Sequence, residues 1–171
     1  MRIETRRQRY DNKKINSQNL PVSLVTVNFD FDDNLAFVIR TAACFGADSV
    51  CVIGSLPPRS FLNPKSGSLY DYIQILQFKN PNEFLAYSRQ NSWQLISAEI
   101  SPESQSLYNY KFDFDRHTAI VLGHETTGIP TEVAFASRHI YIPMPGTGFC
   151  LNTSQTGTSI ITEYSRQYFL K

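Results

Sequence analysis

The segment Ile140-Tyr-Ile-Pro-Met-Pro-Gly-Thr-Gly-Phe-Cys-Leu-Asn-Thr-Ser154 decides how the rest of the chain is interpreted. An apolar run ends in a turn rich in Pro and Gly, and an Asn-Thr-Ser helix start follows at once. Gly146 and Gly148 permit positive φ and close backbone approach, while Pro143 and Pro145 restrict the path of the chain. We therefore expect a shaped loop at the carboxyl end of a strand, where open α/β sheets bind ligands. An ordinary strand-to-helix connection is the competing interpretation of this segment alone.

Length and composition fit a single domain over residues 1–171. A chain of 171 residues can bury a sizeable core without disulfides. The three cysteines have no paired spacing, which indicates reduced thiols and a cytoplasmic protein. No segment is long and apolar enough to span a membrane, and the three histidines have no Cys or carboxylate at ligand spacing. We expect neither a membrane anchor nor a metal site.

The charge of the chain is balanced, with one local exception. The chain has 16 Lys and Arg and 15 Asp and Glu, for a formal net charge of +1. Its overall charge therefore does not indicate nucleic-acid binding. Residues 1–18 carry a basic cluster and are expected to form a flexible arm. Its basic residues are Arg2, Arg6, Arg7, Arg9, Lys13 and Lys14, opposed only by Glu4 and Asp11. A solvated terminus and an RNA-contacting arm are both open interpretations.

Short apolar strands alternate with amphipathic helices along the chain. Strands are expected at residues 22–27, 49–53, 72–78, 93–98, 118–122 and 139–144. Helices are expected at residues 34–46, 81–90, 130–136 and 152–169, and a loop at residues 57–67. Alternation of this kind predicts an α/β fold, a mostly parallel sheet with helices on both faces.

Two further segments place polar residues where a ligand could be bound. Asn34 and Arg40 interrupt an apolar helix, about 120° apart around a helix of 3.6 residues per turn. A guanidinium among apolar neighbours should have a partner, and a structural ion pair or a surface arginine is the simplest interpretation. Leu122-Gly-His-Glu-Thr-Thr-Gly128 is a strand that enters a turn with two glycines, where Glu125 can orient a ligand.

Together, and in this order, these motifs resemble the SpoU (TrmH-like) branch of the SPOUT RNA methyltransferases, from about Leu20 to the end. The matching residues are Asn34 with Arg40-Thr-Ala and Phe45-Gly46, then Gly123, Glu125 and Gly128, then Ile142-Pro-Met144 with Leu151-Asn152 and Ser154. Three positions depart from the family pattern. Ala36 stands where a Gly is usual, Cys150 where Ser is frequent, and Thr126-Thr127 where Gly or Arg is common.

The resemblance implies transfer of a methyl group from S-adenosyl-L-methionine (AdoMet) to a ribose 2′-hydroxyl of RNA, tRNA more than rRNA, by a homodimer with a deep trefoil knot. It also implies that Tyr164 and Tyr168 anchor the dimer. The implied catalytic residues are Arg40, Asn34, Glu125, Asn152 and Ser154, with Asn34 and Glu125 holding Arg40 or a loop of the partner chain. The implied cofactor residues are Ala98, Gly123, Ile142, Met144, Leu151 and Asn152.

Two rival functions stay open at this point. One is a protein of the same fold that binds RNA without turnover. The other is a nucleotide-binding α/β hydrolase, which is disfavoured because the sequence has neither a P-loop nor a Gly-x-Ser-x-Gly elbow.

Overall fold

A computed structural model describes residues 5–15 and 17–171. The helices are α1 (Arg6–Ile15), α2 (Asp32–Phe45), α3 (Arg59–Lys65), α4 (Pro81–Gln90), α5 (Thr131–Phe135) and α6 (Thr153–Tyr168), and a 3-10 turn covers Tyr70–Tyr72. The strands are β1 (Leu20–Val27), β2 (Ala47–Ile53), β3 (Gln74–Phe78), β4 (Gln94–Ala98), β5 (Gln105–Ser106), β6 (Thr118–Leu122) and β7 (Arg138–Tyr141).

The seven strands form one sheet in the order β3-β2-β1-β6-β4-β7-β5. Every pair of neighbouring strands runs parallel. Their carboxyl ends therefore meet at one edge, and those of β6, β4 and β7 lie side by side there. The predicted α/β fold with a parallel sheet is confirmed.

Helices cover both faces of this sheet, each over its own apolar cluster. On one face, α2 and α6 bury residues such as Ile39 and Ile161 against β1 and β6. On the other face, α4 and α5 bury Phe84 and Val133. Strands β1 and β6 are buried along nearly their whole length, as is typical of parallel strands covered on both sides.

The predicted loop at residues 57–67 is wrong, because Arg59–Lys65 form helix α3. Leu62 is fully buried, and the carbonyl of Pro58 accepts the first helical hydrogen bonds, from Phe61 and Leu62. Burial of one apolar side chain and a proline with fixed φ thus outweigh the Pro-rich composition. The short strand β5 was also not predicted, since two residues give no periodicity.

The amino-terminal segment is helical in its described part. On α1, the Tyr10 hydroxyl donates a hydrogen bond to the Gly67 carbonyl, and the Tyr10 ring packs edge-on against Tyr72 at 5.5 Å. The Tyr72 hydroxyl donates to Asp11. Arg2 and Glu4 lie outside the described residues. The flexibility of residues 1–18 and their contact with RNA stay predictions.

Tyr164 is buried in the core and cannot anchor a dimer as predicted. Its side chain has no exposed surface, and its hydroxyl donates to the carbonyl of Pro21. Phe112 and Phe114 pack edge-on against its ring. Tyr168 is half-buried at the edge of the same aromatic cluster. The spacing along α6 was correctly identified as one helical face, but that face points to the sheet.

Candidate active site

A cavity of about 520 Å³ opens at the carboxyl ends of β4, β6 and β7. The loop between β7 and α6 covers one side of it, and the amino end of α2 covers another. All six residues predicted to bind the cofactor line it, namely Ala98, Gly123, Ile142, Met144, Leu151 and Asn152. Asn34 and Glu125 line the same cavity. Its volume lies in the range of about 300–1,000 Å³ that is usual for small-molecule sites.

Four of the five predicted catalytic residues form one chain of hydrogen bonds. The backbone N–H and the hydroxyl of Ser154 both donate to Asn152 Oδ1, at 2.9 and 2.6 Å. Asn152 Nδ2 donates to Asn34 Oδ1 at 2.9 Å, and Asn34 Nδ2 donates to Glu125 Oε1 at 2.6 Å. Each amide therefore has only one orientation that satisfies its neighbours.

Glu125 connects the turn after β6 to the amino end of α2. Its Oε2 accepts the backbone N–H of Asp30 at 3.0 Å. Phe31, the N-cap of α2, provides no side-chain cap of its own, and the Glu125 carboxylate takes that place with a negative charge at the positive end of the helix. Burial alone would raise the pKa of Glu125, but hydrogen bonds from Asn34 and from backbone N–H groups outweigh it and the pKa is lowered. Glu125 is therefore ionised at neutral pH, so its carboxylate accepts hydrogen bonds and has no proton to donate.

His124 also lines the cavity, and the sequence analysis did not select it. Its Nδ1 lies 3.0 Å from the backbone nitrogen of Thr126 and 3.3 Å from that of Thr127, both of which donate to it. The neutral ring must then carry its proton on Nε2, which lies 3.2 Å from Asp30 Oδ1. The only feature of the sequence that pointed to His124 as a cavity residue is its position directly before Glu125.

Asp30, His124 and Glu125 bring their ligand-type atoms within 4.8 Å of one another. The sequence argument that no carboxylate lies near a histidine was therefore wrong. In this structure the Glu125 carboxylate at this cluster accepts hydrogen bonds from the Asp30 backbone and from Asn34. Absence of a metal from the function stays a prediction.

Glycine is required at two positions of the turn after β6. A Cβ at Gly123 would lie 2.6 Å from the carbonyl carbon of Gly128, a distance that side chains do not tolerate. Gly128 itself has a φ of +72°, which favours glycine. By contrast, Gly146 and Gly148 have open space around them and are not among the described glycines with positive φ. The positive φ and close backbone approach that glycine permits at these two positions are therefore not used in this chain.

Arg40 stands apart from the other predicted catalytic residues. It is exposed on α2 and does not line the cavity. Its guanidinium carbon lies 3.6 Å from where a Cβ of Gly67 would be. Within residues 5–15 and 17–171, no hydrogen bond or ion pair involves Arg40. Within this chain, Asn34 and Glu125 bond to each other and do not contact Arg40, so their expected hold on Arg40 or on a loop of the partner chain stays a prediction.

The departures from the motif pattern do not disturb the fold. Ala36 is fully buried in the core, and α2 runs without interruption through this position. Cys150 and Thr126 line the cavity. In the part of the chain that the structure describes, no helix has the length and apolar character needed to cross a membrane.

A parallel sheet with a cavity at the carboxyl ends of its strands defines the class as an α/β protein with a candidate small-molecule site. The family model of the SpoU rRNA Methylase family matches residues 21–162, and the chain belongs to that family.

Curated relatives and solved structures agree with this family. The chain is 29% identical over 137 residues to the tRNA (guanosine(18)-2′-O)-methyltransferase of Escherichia coli K12, covering 78% of this chain and 58% of the relative. It is 30% identical over 139 residues to the 23S rRNA (guanosine-2′-O-)-methyltransferase RlmB of Acinetobacter baylyi, covering 78% and 55%. The chain thus spans little more than half the length of these two relatives.

Among solved structures, the TrmH/SpoU tRNA modifying enzyme of A. aeolicus superposes with a TM-score of 0.78 at 20% identity, covering 96% of this chain and 84% of that one. A structure described as giving insights into 2′-OH methylation of C/U34 on tRNA has a TM-score of 0.77 at 23% identity, covering 88% and 97%. Because both identities are below 25%, these similarities support the fold alone.

Proposed function

We propose that this protein is an AdoMet-dependent RNA methyltransferase that methylates a ribose 2′-hydroxyl, with tRNA as the preferred substrate class. The observation that carries the proposal is the single cavity that unites the six predicted cofactor residues with Asn34, Glu125 and Asn152. The E. coli relative that matches 78% of the chain is named a tRNA 2′-O-methyltransferase, which favours tRNA over rRNA.

AdoMet supplies a methyl group on a positively charged sulfur. The 2′-oxygen forms a bond to that carbon while the carbon–sulfur bond breaks, and the hydroxyl proton leaves to a base or to solvent. In this chain, Glu125, Asn34 and Asn152 hold the amino end of α2, the turn after β6 and the start of α6 in fixed positions around the cavity. Such preorganisation lets the site orient reactants without rearrangement.

Arg40 is assigned to the RNA side of the reaction. An arginine stays protonated at any working pH, so it orients the hydroxyl or the neighbouring phosphate and stabilises charge, rather than acting as a base. No residue among 5–15 and 17–171 pairs with its guanidinium, which fits this role, because such a planar fork can bind phosphate through two hydrogen bonds. Since Arg40 lies outside the cavity of its own chain, we place it at the site of a partner copy.

A homodimer follows from this placement. Phe37 and Arg40 lie on the exposed side of α2, and Phe37 is 46% exposed. Phe61 on the adjacent helix α3 is 58% exposed. Exposed aromatic and arginine side chains of this kind are enriched at interfaces. The trefoil knot, which the resemblance implies, and a cytoplasmic location belong to the same proposal.

The amino-terminal helix is proposed as an RNA-contacting surface. Its basic side chains are Arg6, Arg7, Arg9, Lys13 and Lys14, and all are exposed. Asp11, the one acidic residue of α1, accepts a hydrogen bond from Tyr72. Next to α1 lies a second cavity of about 510 Å³, lined by Lys13 and Lys14 together with Tyr10, Tyr72 and other aromatic residues. Cations beside aromatic rings suit phosphate and an unstacked base.

The surface formed by α1 lies close to Arg40 through Gly67. Tyr10 of α1 donates a hydrogen bond to the carbonyl of Gly67, and the guanidinium of Arg40 also lies next to Gly67. RNA bound along α1 would therefore be directed towards Arg40.

The experiment that tests the proposed function is a comparison of 2′-O-methyl marks in RNA from a strain with the gene and from a strain without it. Sequencing-based mapping of total tRNA and rRNA should show the loss of at least one mark, in tRNA, and its return when the gene is restored. Unchanged marks in both RNA classes would refute the proposal, and loss confined to rRNA would overturn the tRNA assignment.

A further inference from the structure

Glu99 is a second carboxylate of the cavity, and no motif assigns it a role. It follows β4 directly and lines the cavity beside Ala98. Its backbone is fixed on both sides, because its N–H donates to the carbonyl of Ile140 at 3.1 Å and its carbonyl accepts the Ser104 hydroxyl at 2.7 Å. The position of its side chain at the cavity wall is therefore set by the sheet.

The two oxygens of Glu99 have different surroundings. Oε1 accepts the backbone N–H of Ile100 at 3.1 Å. Across the described residues, no hydrogen bond or ion pair involves Oε2. Oε2 would lie 3.3 Å from a Cβ at Gly128, so a side chain at Gly128 would crowd the space next to this oxygen. One carboxylate oxygen is thus left available for a ligand.

The charges around the cavity favour a cation. Its described lining holds two carboxylates, Glu99 and Glu125, and neither Lys nor Arg. Both oxygens of Glu125 already accept protein hydrogen bonds, which leaves Glu99 as the carboxylate with free accepting capacity. A negative charge in a partly desolvated cavity attracts a positive ligand over a range of several ångströms.

We propose that Glu99 selects the cationic methyl donor over the neutral product of the reaction. AdoMet carries a methyl group and a positive charge on its sulfur, and S-adenosyl-L-homocysteine (AdoHcy) lacks both. The two molecules are otherwise the same. The Glu99 carboxylate stabilises the bound sulfonium, and this stabilisation ends when the methyl group is transferred and the sulfur becomes a thioether. Glu99 thereby weakens product inhibition. This inference rests on the proposed function, because it takes AdoMet as the occupant.

The test is the ratio of the AdoHcy and AdoMet dissociation constants, measured by calorimetry for wild type, Glu99→Gln and Glu99→Asp. Glutamine keeps the shape and the acceptor for Ile100 but removes the charge, so the preference for AdoMet should fall by about 3- to 10-fold, the scale of one partly screened charge interaction. Aspartate keeps the charge and should keep the ratio within about twofold. The matched control is Glu103→Gln, an exposed glutamate of the same loop that does not line the cavity.

Two outcomes would overturn the inference. If Glu99→Gln weakens the binding of AdoMet and of AdoHcy equally, the carboxylate accepts a hydrogen bond from a part that both ligands share, such as the ribose. It then does not interact specifically with the sulfonium. If Glu99→Gln changes the ratio no more than Glu103→Gln does, Glu99 plays no part in selection. Failure of the wild type to bind AdoMet would instead count against the proposed function. A melting curve for each variant shows that the measured protein is folded.

Discussion

The side chain of Asn34 donates a 2.6 Å hydrogen bond to Glu125, a residue 91 positions further along the chain. This bond joins the start of α2 to the turn after β6. Because Asn152 donates to the same Asn34 side chain, three segments that are distant in sequence meet at one wall of the cavity. None of these side chains is free to rotate without loss of a hydrogen bond.

Substitution of Glu125 should make the stability of the protein less dependent on pH. The pKa of Glu125 is lowered in the fold, so its carboxylate stabilises the fold fully above the ordinary glutamate pKa of about 4.3. That contribution disappears as the pH falls through the lower pKa of the folded state. Glu125→Gln should therefore cost about 1–2 kcal/mol of unfolding free energy at pH 7 and much less near pH 3.

Urea denaturation of both proteins at pH 7 and pH 3 measures this difference. The exposed residue Glu103 provides the control, and Glu103→Gln should change the unfolding free energy by less than about 0.5 kcal/mol. If Glu125→Gln loses the same unfolding free energy at pH 7 and at pH 3, the ionised carboxylate is not the cause of the loss.

Charge reversal on α1 should weaken RNA binding without a change in AdoMet affinity. The double variant Arg9→Glu with Lys13→Glu removes two candidate phosphate contacts, and we expect binding of unmodified tRNA to weaken by at least about tenfold at moderate salt. The slope of log affinity against log salt should also become shallower by about one to two. Filter binding across a salt series provides both quantities.

The control is Lys79→Glu with Arg89→Glu: Arg89 lies in α4, which covers the opposite face of the sheet, and Lys79 lies two residues before that helix. Equal loss of affinity in the two double variants would mean that RNA responds to net charge and not to the surface of α1.

The protein should be a homodimer in solution. Light scattering should give a mass near twice the protomer mass of 19.5 kDa at working concentrations. Substitution of the exposed Phe37 and Phe61 by serine should shift this mass towards the protomer, because it removes apolar area from the proposed interface. A wild-type mass of one protomer across the concentration range would contradict the dimer, and with it the assignment of Arg40 to a partner's site.

Arg40→Ala should separate catalysis from stability. Since no described residue pairs with the guanidinium, the unfolding free energy should change by less than about 0.5 kcal/mol. Methyl transfer in a single turnover should fall by about 10²- to 10³-fold, the usual effect of removing one group that stabilises charge in the transition state, while AdoMet affinity is kept. Arg40→Lys should restore little activity, because an ammonium does not reproduce the planar fork. Transfer at the wild-type rate by Arg40→Ala would remove Arg40 from the mechanism.

Periodicity in the sequence predicted the fold well. The helix expected at residues 81–90 begins and ends as predicted, and the strand at residues 118–122 agrees in both bounds. These segments combine clear apolar patterns with unambiguous starts and stops. Helix α3 was missed because Pro57, Pro58 and Pro64 indicated a loop, although Leu62 is buried in the core.

The site was predicted in part, for a physical reason. Gly123 and Ile142 directly follow β6 and β7, and Ala98 ends β4 between them, so parallel pairing alone brings these three cavity residues together. Glu99 and His124 carry no motif, and only the geometry of the cavity identifies them. The position of Arg40 could not be judged from one chain, because its proposed partner is a second copy. Tyr164 had the spacing of an interface residue, but spacing does not tell which face of a helix is covered by the sheet.

The most direct test of the central claim is transfer of a labelled methyl group from AdoMet to unmodified tRNA by the purified protein, without added metal and with a chelator present. Digestion of the product to nucleosides and mass spectrometry should identify a 2′-O-methylnucleoside, formed in amounts that approach one per tRNA. Folded protein that transfers no methyl group to tRNA or rRNA, or that places it on a base instead of the ribose, would contradict the account.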